Sequence, residues 1–137
     1  MAKLPFLRFL LTALLAGCDV LGTPNLEHVA FFPEKPEFAA TEKVRMKLVN
    51  TNAEEIIVND CYSVEGLADG AWSPADNPSM PRTCLLALRR VGGGDTFELS
   101  VLTSRLLAFA RYRVSVELRS GGERRRISSA PFTVAAE

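Results

Sequence analysis

A strict alternation of apolar and polar side chains between positions 111 and 119 restricts the fold of this chain more than any other feature. The apolar positions are Tyr112, Val114, Val116 and Leu118, and the polar ones are Arg111, Arg113, Ser115, Glu117 and Arg119. Successive side chains of a β-strand point to opposite faces. This period of two therefore predicts a strand with one buried face and one wet face, since a helix would show a period of 3.6.

Shorter runs that are typical of strands, some alternating and some rich in apolar or β-branched residues, follow one another along most of the chain. They lie at positions 29–31, 44–48, 55–59, 61–67, 84–91 and 97–101, with a last run that holds Ile127, Phe132 and Val134. Turn residues separate them, among them Asp69-Gly70, Gly92–Gly94 and Gly121-Gly122. The pattern predicts an all-β sandwich of about seven to eight antiparallel strands, with Leu102–Ala110 as a short connection.

Residues 73–82 interrupt the pattern with three prolines, Pro74, Pro78 and Pro81. Proline cannot donate a hydrogen bond to a neighbouring strand, so this stretch is predicted to be a surface loop. Binding functions are concentrated in loops. We therefore predict that this loop contacts a partner through four of its residues, Asp76, Asn77, Met80 and Arg82.

The first 17 residues have the composition of an export signal. Lys3 and Arg8 precede an apolar run over positions 9–16, which is shorter than the roughly 20 residues that span a membrane. The run ends in Leu15-Ala16-Gly17-Cys18, which resembles the lipobox of bacterial lipoproteins. The resemblance implies that residues 1–17 are a signal peptide, that Cys18 is acylated, and that residues 18–26 tether a domain formed by residues 27–137. The alternative is an ordinary signal peptide with an incidental cysteine.

Export also bears on the remaining two cysteines, Cys61 and Cys84. An oxidising compartment and an even count favour a disulfide between them, which would stabilise the fold by about 3 kcal/mol. Two buried free thiols are the alternative. Asp19, directly after the acylated cysteine, resembles the signal that retains some lipoproteins of Gram-negative bacteria in the inner membrane, which implies the periplasmic face of that membrane.

Several short motifs after the tether resemble, in this order, those of bacterial immunoglobulin-like domains. They are Val44–Asn50, Cys61–Glu65, Gly70-Ala71-Trp72, Gly92–Gly94, Tyr112-Arg113-Val114 and Pro131–Val134. The resemblance covers residues 27–135 and implies an immunoglobulin-like β-sandwich. It also implies that Trp72 fills the core and that Tyr112 braces a turn. It implies a fold and no reaction.

The residue types of the chain indicate no catalytic centre, cofactor or metal site. His28 is the single histidine and stands beside the first strand, so we expect a partly exposed strand residue and not a general base. A metal site needs more ligands than His28, Cys61 and Cys84 supply. The chain has 16 basic and 16 acidic residues, and residues 1–17 hold two of the basic ones and no acid. The remainder, at 14 and 16, has a formal charge of −2, which disfavours nucleic acid as a partner.

Arg124-Arg125-Arg126 is the one local concentration of charge. Adjacent strand residues point to opposite faces, so Arg125 is expected to lie apart from its two neighbours. We interpret the run as a charged strand that discourages edge-to-edge pairing, with contact to anionic lipid as the alternative.

These features predict a non-enzymatic lipoprotein of the cell envelope, anchored in the membrane by its lipid. Its domain is expected to contact an envelope protein through sheet edges or through residues 73–82. No small-molecule substrate is expected. The alternative function is a protease inhibitor that presents the Ser73–Arg82 loop, since a rigid loop loses little entropy on binding.

Overall fold

The computed structural model describes residues 28–79, 84 and 87–136. The predicted signal peptide, Cys18, Asp19 and most of the tether lie outside the described residues, as do Met80 and Arg82. Ten strands form within the described part: β1 Val29–Pro33, β2 Glu37–Phe38, β3 Lys43–Asn50, β4 Ile56–Ala68, β5 Ala71–Pro74, β6 Leu88–Val91, β7 Thr96–Leu102, β8 Arg111–Ser120, β9 Glu123–Ser128 and β10 Thr133–Val134.

Two antiparallel sheets face each other, which confirms the predicted all-β sandwich. The three-stranded sheet has the order β1-β3-β7. In the five-stranded sheet, β8 lies between β4 and β9, and the other edge of β4 pairs with β5 near its end and with β6 near its beginning. The short strands β2 and β10 pair in parallel, an exception to the antiparallel arrangement that we predicted.

The core lies between the inward faces of the two sheets. The predicted alternation in β8 is confirmed, since Tyr112, Val114, Val116 and Leu118 are all buried. The other buried apolar residues are Phe31, Phe38, Val44, Met46, Leu48, Ile56, Val58, Val64, Ala75, Val91, Val101 and Phe132. Ile127 and Val134, also predicted to be core residues, are half-buried and pack against this cluster.

Tyr112 connects β8 to the segment that precedes it. Its ring stacks on Phe132 at 5.7 Å between centroids, and its hydroxyl donates to the carbonyl of Leu107 at 2.7 Å and accepts from the N–H of Phe109 at 3.0 Å. The brace implied for this tyrosine is therefore present. Residues 103–110 form the predicted short connection, with one turn of 3-10 helix at Thr103–Arg105.

Three local expectations need correction. The two predicted runs at 55–59 and 61–67 belong to one 13-residue strand, β4, whose register with β8 shifts between Asn59 and Ser63. Trp72 is half-buried and lies outside the core, because its place in β5, opposite Leu67, turns it to the outer face. Cys84 is not part of a strand, since β6 begins at Leu88.

Two of the predicted hairpin turns are present and have the expected backbone. Asp69 and Gly70, between β4 and β5, have φ angles of 52° and 75°. Gly121 and Gly122, between β8 and β9, have φ angles of 53° and 92°. Two central residues with positive φ match the twist of antiparallel strands, which explains why Asp-Gly and Gly-Gly occur here.

Candidate functional site

The loop predicted to carry the binding function is fixed at its beginning. The N–H of Ala75 donates to the carbonyl of Val64 at 2.9 Å, and the carbonyl of Ala75 accepts from Leu107 at 2.7 Å. The N–H of Asn77 donates to the carbonyl of Arg105 at 2.9 Å. These bonds attach the chain after β5 to both β4 and the 103–110 connection.

The same loop is fixed at its far end by the predicted disulfide. Cys61 and Cys84 are bonded, with 5.5 Å between their Cα atoms and a sequence separation of 23. Cys61 lies in the irregular part of β4, where its N–H donates to the side-chain oxygen of Asn59 at 3.0 Å. We call residues 75–84 the clamped segment, because each of its ends is attached to the sandwich.

The four predicted contact residues have different outcomes. Asp76 and Asn77 are half-buried, and both serve the attachment of the loop. Asp76 forms an isolated β-bridge with Leu106, and the side-chain oxygen of Asn77 accepts from the N–H of Ser79 at 3.0 Å. Within the part of the clamped segment that the structure describes, Pro78, Ser79 and Cys84 are the exposed residues.

A second candidate surface is the outer face of the five-stranded sheet. Six arginines from three strands share it: Arg90, Arg111, Arg113, Arg119, Arg124 and Arg126. Residues in register form rows across the sheet, so that Arg90, Ile57, Arg119 and Arg124 stand side by side on β6, β4, β8 and β9. We call these six arginines the arginine face. Arg125 pairs with the buried Leu118 and points the other way, as predicted.

Glu65 organises the middle of the arginine face. Its carboxylate accepts from Arg113 at 3.3 Å and from the hydroxyl of Ser115 at 2.9 Å, and Arg126 donates to Ser63 next to it. Burial raises the pKa of Glu65, but the bonds from Arg113 and Ser115 and the charges of Arg113 and Arg126 outweigh burial, so this pKa lies below its ordinary value.

Charge is unevenly distributed over the molecule. The described residues contain 13 basic and 13 acidic side chains. The arginine face, by contrast, has six arginines and three acids: Glu65 and Glu117 within its strands, and Glu55, just before β4, which lies 3.8 Å from Arg90. The sequence patterns did not indicate this surface, because its arginines come from three separate strands. The alternation of β8 indicated that Arg111, Arg113 and Arg119 share a face, but not which strands lie beside it.

The edge of β7 is a third candidate surface. In the described part of the chain, β7 pairs with β3 alone. The carbonyl of Asp95 accepts from Asn50 of β3, so the alternating residues Thr96, Glu98 and Ser100 direct their backbone groups away from β3. The hydroxyl of Tyr62 donates to the carbonyl of Ser100 at 3.3 Å. This edge fits the predicted strand addition, although the exposed Glu98 limits unspecific pairing.

A groove of about 860 Å³ lies at the end of the sandwich beside Tyr112. Residues from 40–43, 102–109 and 134–136 line it. Glu42 and Lys43 are its charged residues, and Glu42 is bound by Lys35 at 2.6 Å and by the N–H of Ala39 at 2.7 Å. These two bonds lower the pKa of Glu42. The lining offers methyl groups and hydroxyls but no paired acid and base.

His28 is exposed and stands just before β1, close to where it was expected. Its carbonyl accepts from the N–H and from the hydroxyl of Thr51. Among the described residues, no three histidine, cysteine or acidic side chains come close enough to hold a metal ion. The same residues include no helix with the length and apolar character needed to cross a membrane.

Neither the comparison with protein-family models nor the comparison with curated proteins finds a match to this chain.

Proposed function

We propose that this protein is a lipoprotein of the bacterial envelope whose immunoglobulin-like sandwich is a non-catalytic protein-interaction module. In constant-type immunoglobulin domains the first, second, fourth and fifth strands share one sheet, and the third, sixth and seventh share the other. In this chain β1, β3 and β7 stand against β4, β8 and β9, while the short strands β5 and β6 pair with β4 and so differ from the fourth immunoglobulin strand. The sheet order therefore supports the immunoglobulin-like relationship, and Leu15-Ala16-Gly17-Cys18 supports the lipid anchor.

The clamped segment is the observation that carries the interaction function. Hydrogen bonds fix its beginning to β4 and to the 103–110 connection, and a disulfide fixes its end to β4. Ordering a free loop on binding costs conformational entropy, whereas a loop held at both ends has lost much of it already. Exposed residues such as Pro78 and Ser79 lie between the two attachments.

The lipid anchor is tested by replacing its cysteine. We expect mass analysis of the native protein to find acyl chains on Cys18, and Cys18→Ser to leave the membrane fraction. Cys84→Ser serves as the control, since it replaces a cysteine without touching the anchor. An unmodified Cys18 would contradict this part of the proposal. Fractionation of the inner and outer membranes, followed by detection of the protein in each, tests the inner-membrane location that Asp19 favours.

The interaction surface is tested with a photo-crosslinking residue at Ser79 in living cells. We expect this position to capture one envelope protein in stoichiometric amounts. Ala30 is the control, because it is also exposed but lies on the outer face of the three-stranded sheet. The same faint set of products from both positions would count against a contact through the clamped segment.

A protease inhibitor is the second candidate, and the attachment of the clamped segment at both ends favours it as well. Inhibitors present rigid loops to the protease cleft, for the same entropic reason. Assay of the purified protein against a panel of serine, cysteine and metalloproteases separates the two functions. Inhibition that is lost after reduction of the Cys61–Cys84 disulfide would identify the protein as an inhibitor. If none of the proteases is inhibited, the protein does not inhibit the classes that the panel contains.

A further inference from the structure

We propose that the arginine face docks the domain flat onto a bilayer that contains anionic phospholipid. This inference rests on the proposed lipid anchor, which would keep the domain beside a membrane. Four of the six arginines are exposed: Arg90, Arg111, Arg124 and Arg126. Arg90 keeps 78% of its side chain exposed although it lies 3.8 Å from the carboxylate of Glu55. The chain as a whole is close to neutral, so the attraction depends on this face and not on net charge.

Direct opposition of like charges indicates that an anion belongs on this face. Arg119 and Arg124 stand directly opposite each other on β8 and β9. Like charges in this position destabilise a sheet unless something negative lies between them. Glu117 neutralises part of the charge through its bond with Arg119 at 3.0 Å. Arg124 has no acidic partner among the described residues.

The shape of the surface suits a planar partner. Four strands about 4.8 Å apart give it width, and the nine positions from Arg111 to Arg119 give it a length of about 27 Å. Trp72 lies at one end, with the guanidinium of Arg113 4.4 Å from its ring centre. Tryptophan is favoured at the interface between water and lipid, so this end of the face also suits the headgroup region.

The tether is long enough to allow this orientation. His28 stands ten positions after Cys18 in the chain, and ten extended steps reach at most about 35 Å. The first strand starts at Val29, opposite Asn50, at the same end of the sandwich as Arg119 and Arg124. A tethered domain is at high local concentration near the bilayer. A weak electrostatic contact is therefore sufficient to orient it.

The test uses the complete lipoprotein inserted into vesicles of phosphatidylcholine, with or without phosphatidylglycerol. Trp72 is the single tryptophan, so its fluorescence reports the distance of the face from a spin-labelled lipid headgroup. We expect stronger quenching in the anionic vesicles. The difference should disappear at about 1 M salt, where charges are screened over about 3 Å.

Two triple variants with the same change of charge separate the face from net charge. One carries Arg119→Gln, Arg124→Gln and Arg126→Gln. The other carries Lys43→Gln, Arg45→Gln and Lys47→Gln, on the outer face of the other sheet. We expect the first to lose the additional quenching and the second to keep it. In a Cys18→Ser background the first should also weaken binding to anionic vesicles by about a hundredfold, since each arginine near an anionic surface contributes roughly fivefold.

Two results would overturn docking by the arginine face: equal quenching in the two lipids, or equal losses in the two triple variants. A different result bears on the anchor. If the protein with its native Cys18 does not float with neutral vesicles, the lipid anchor is contradicted. The Cys18→Ser binding measurement then still decides whether the arginine face binds anionic lipid.

Discussion

Asn50 is a buried polar residue that holds one end of the sandwich together. Its side-chain amide nitrogen lies 2.8 Å from the carbonyl of Glu54, 3.0 Å from that of Val91 and 3.2 Å from that of Gly92. Its oxygen accepts from the backbone and side chain of Asn52. One side chain thus joins the end of β3, the following turn and the end of β6.

We expect Asn50→Asp to destabilise the protein by about 2–4 kcal/mol, because a buried carboxylate would face three carbonyl oxygens without a proton to donate. Chemical denaturation of the purified chain measures the loss. Asn59→Asp is the isosteric control, since an aspartate oxygen can still accept from Cys61. Equal losses in both variants would show that the Asn50 donor is not the cause.

Because of Glu65, the free energy of unfolding is expected to depend on pH in the acid range. Its pKa in the folded state lies below the ordinary value, so its contribution is present above the unfolded value of about 4.3 and is lost as the pH falls through the folded one. We expect Glu65→Gln to be less stable than the wild type by roughly 1 kcal/mol at neutral pH. The difference should shrink between about pH 5 and 3.

Urea unfolding at a series of pH values measures this dependence. Glu98→Gln is the control, because that carboxylate is 66% exposed and lies 4.0 Å from Lys47. A difference between wild type and Glu65→Gln that stays constant down to pH 3 would contradict the argument.

At the scale of elements, the disulfide connects the irregular part of β4 to the end of the clamped segment. Reduction, or Cys84→Ser, should destabilise the fold by about 3 kcal/mol, because the unfolded chain regains the entropy of a 23-residue loop. Thermal unfolding with and without reductant measures the change. Cys18→Ser should show no such loss, and an equal effect of reductant on Cys84→Ser would contradict the assignment.

Local patterns predicted most elements but not their partners. The alternation of β8 and the Asp69-Gly70 turn follow from the geometry of a few neighbouring residues, and both were predicted. The parallel pairing of β2 with β10 joins segments nearly 100 residues apart, and each is two residues long. A two-residue strand has no period to detect, so this pair was missed.

At the scale of the whole molecule, the core is self-contained. All the buried apolar residues of the described part lie between Phe31 and Phe132. We therefore expect a chain that starts at His28 to unfold cooperatively. Its unfolding temperature should equal that of a longer chain that starts at position 18 and carries Cys18→Ser. Calorimetry measures the unfolding temperature of each chain. A clearly lower unfolding temperature for the shorter chain would contradict a core confined to these residues.

The candidate surfaces differ in how far the sequence could predict them. The clamped segment was expected from its prolines and from Cys84. Its attachment to Arg105 and Leu107 depends on two loops that meet only in the folded chain. Half-burial of Asp76 and Asn77 has the same origin.

Sequence alone determined the strand class, the hairpin turns and most of the core, because each depends on side-chain periodicity or on backbone φ preferences. It favoured a disulfide between Cys61 and Cys84, which the structure contains, over two free thiols. Tertiary structure alone decided the order of the strands and the gathering of six arginines on one face. Register sets which residues stand opposite each other, and it results from the packing of the whole core. The arginines of β6, β8 and β9 therefore become neighbours only when the sheet forms.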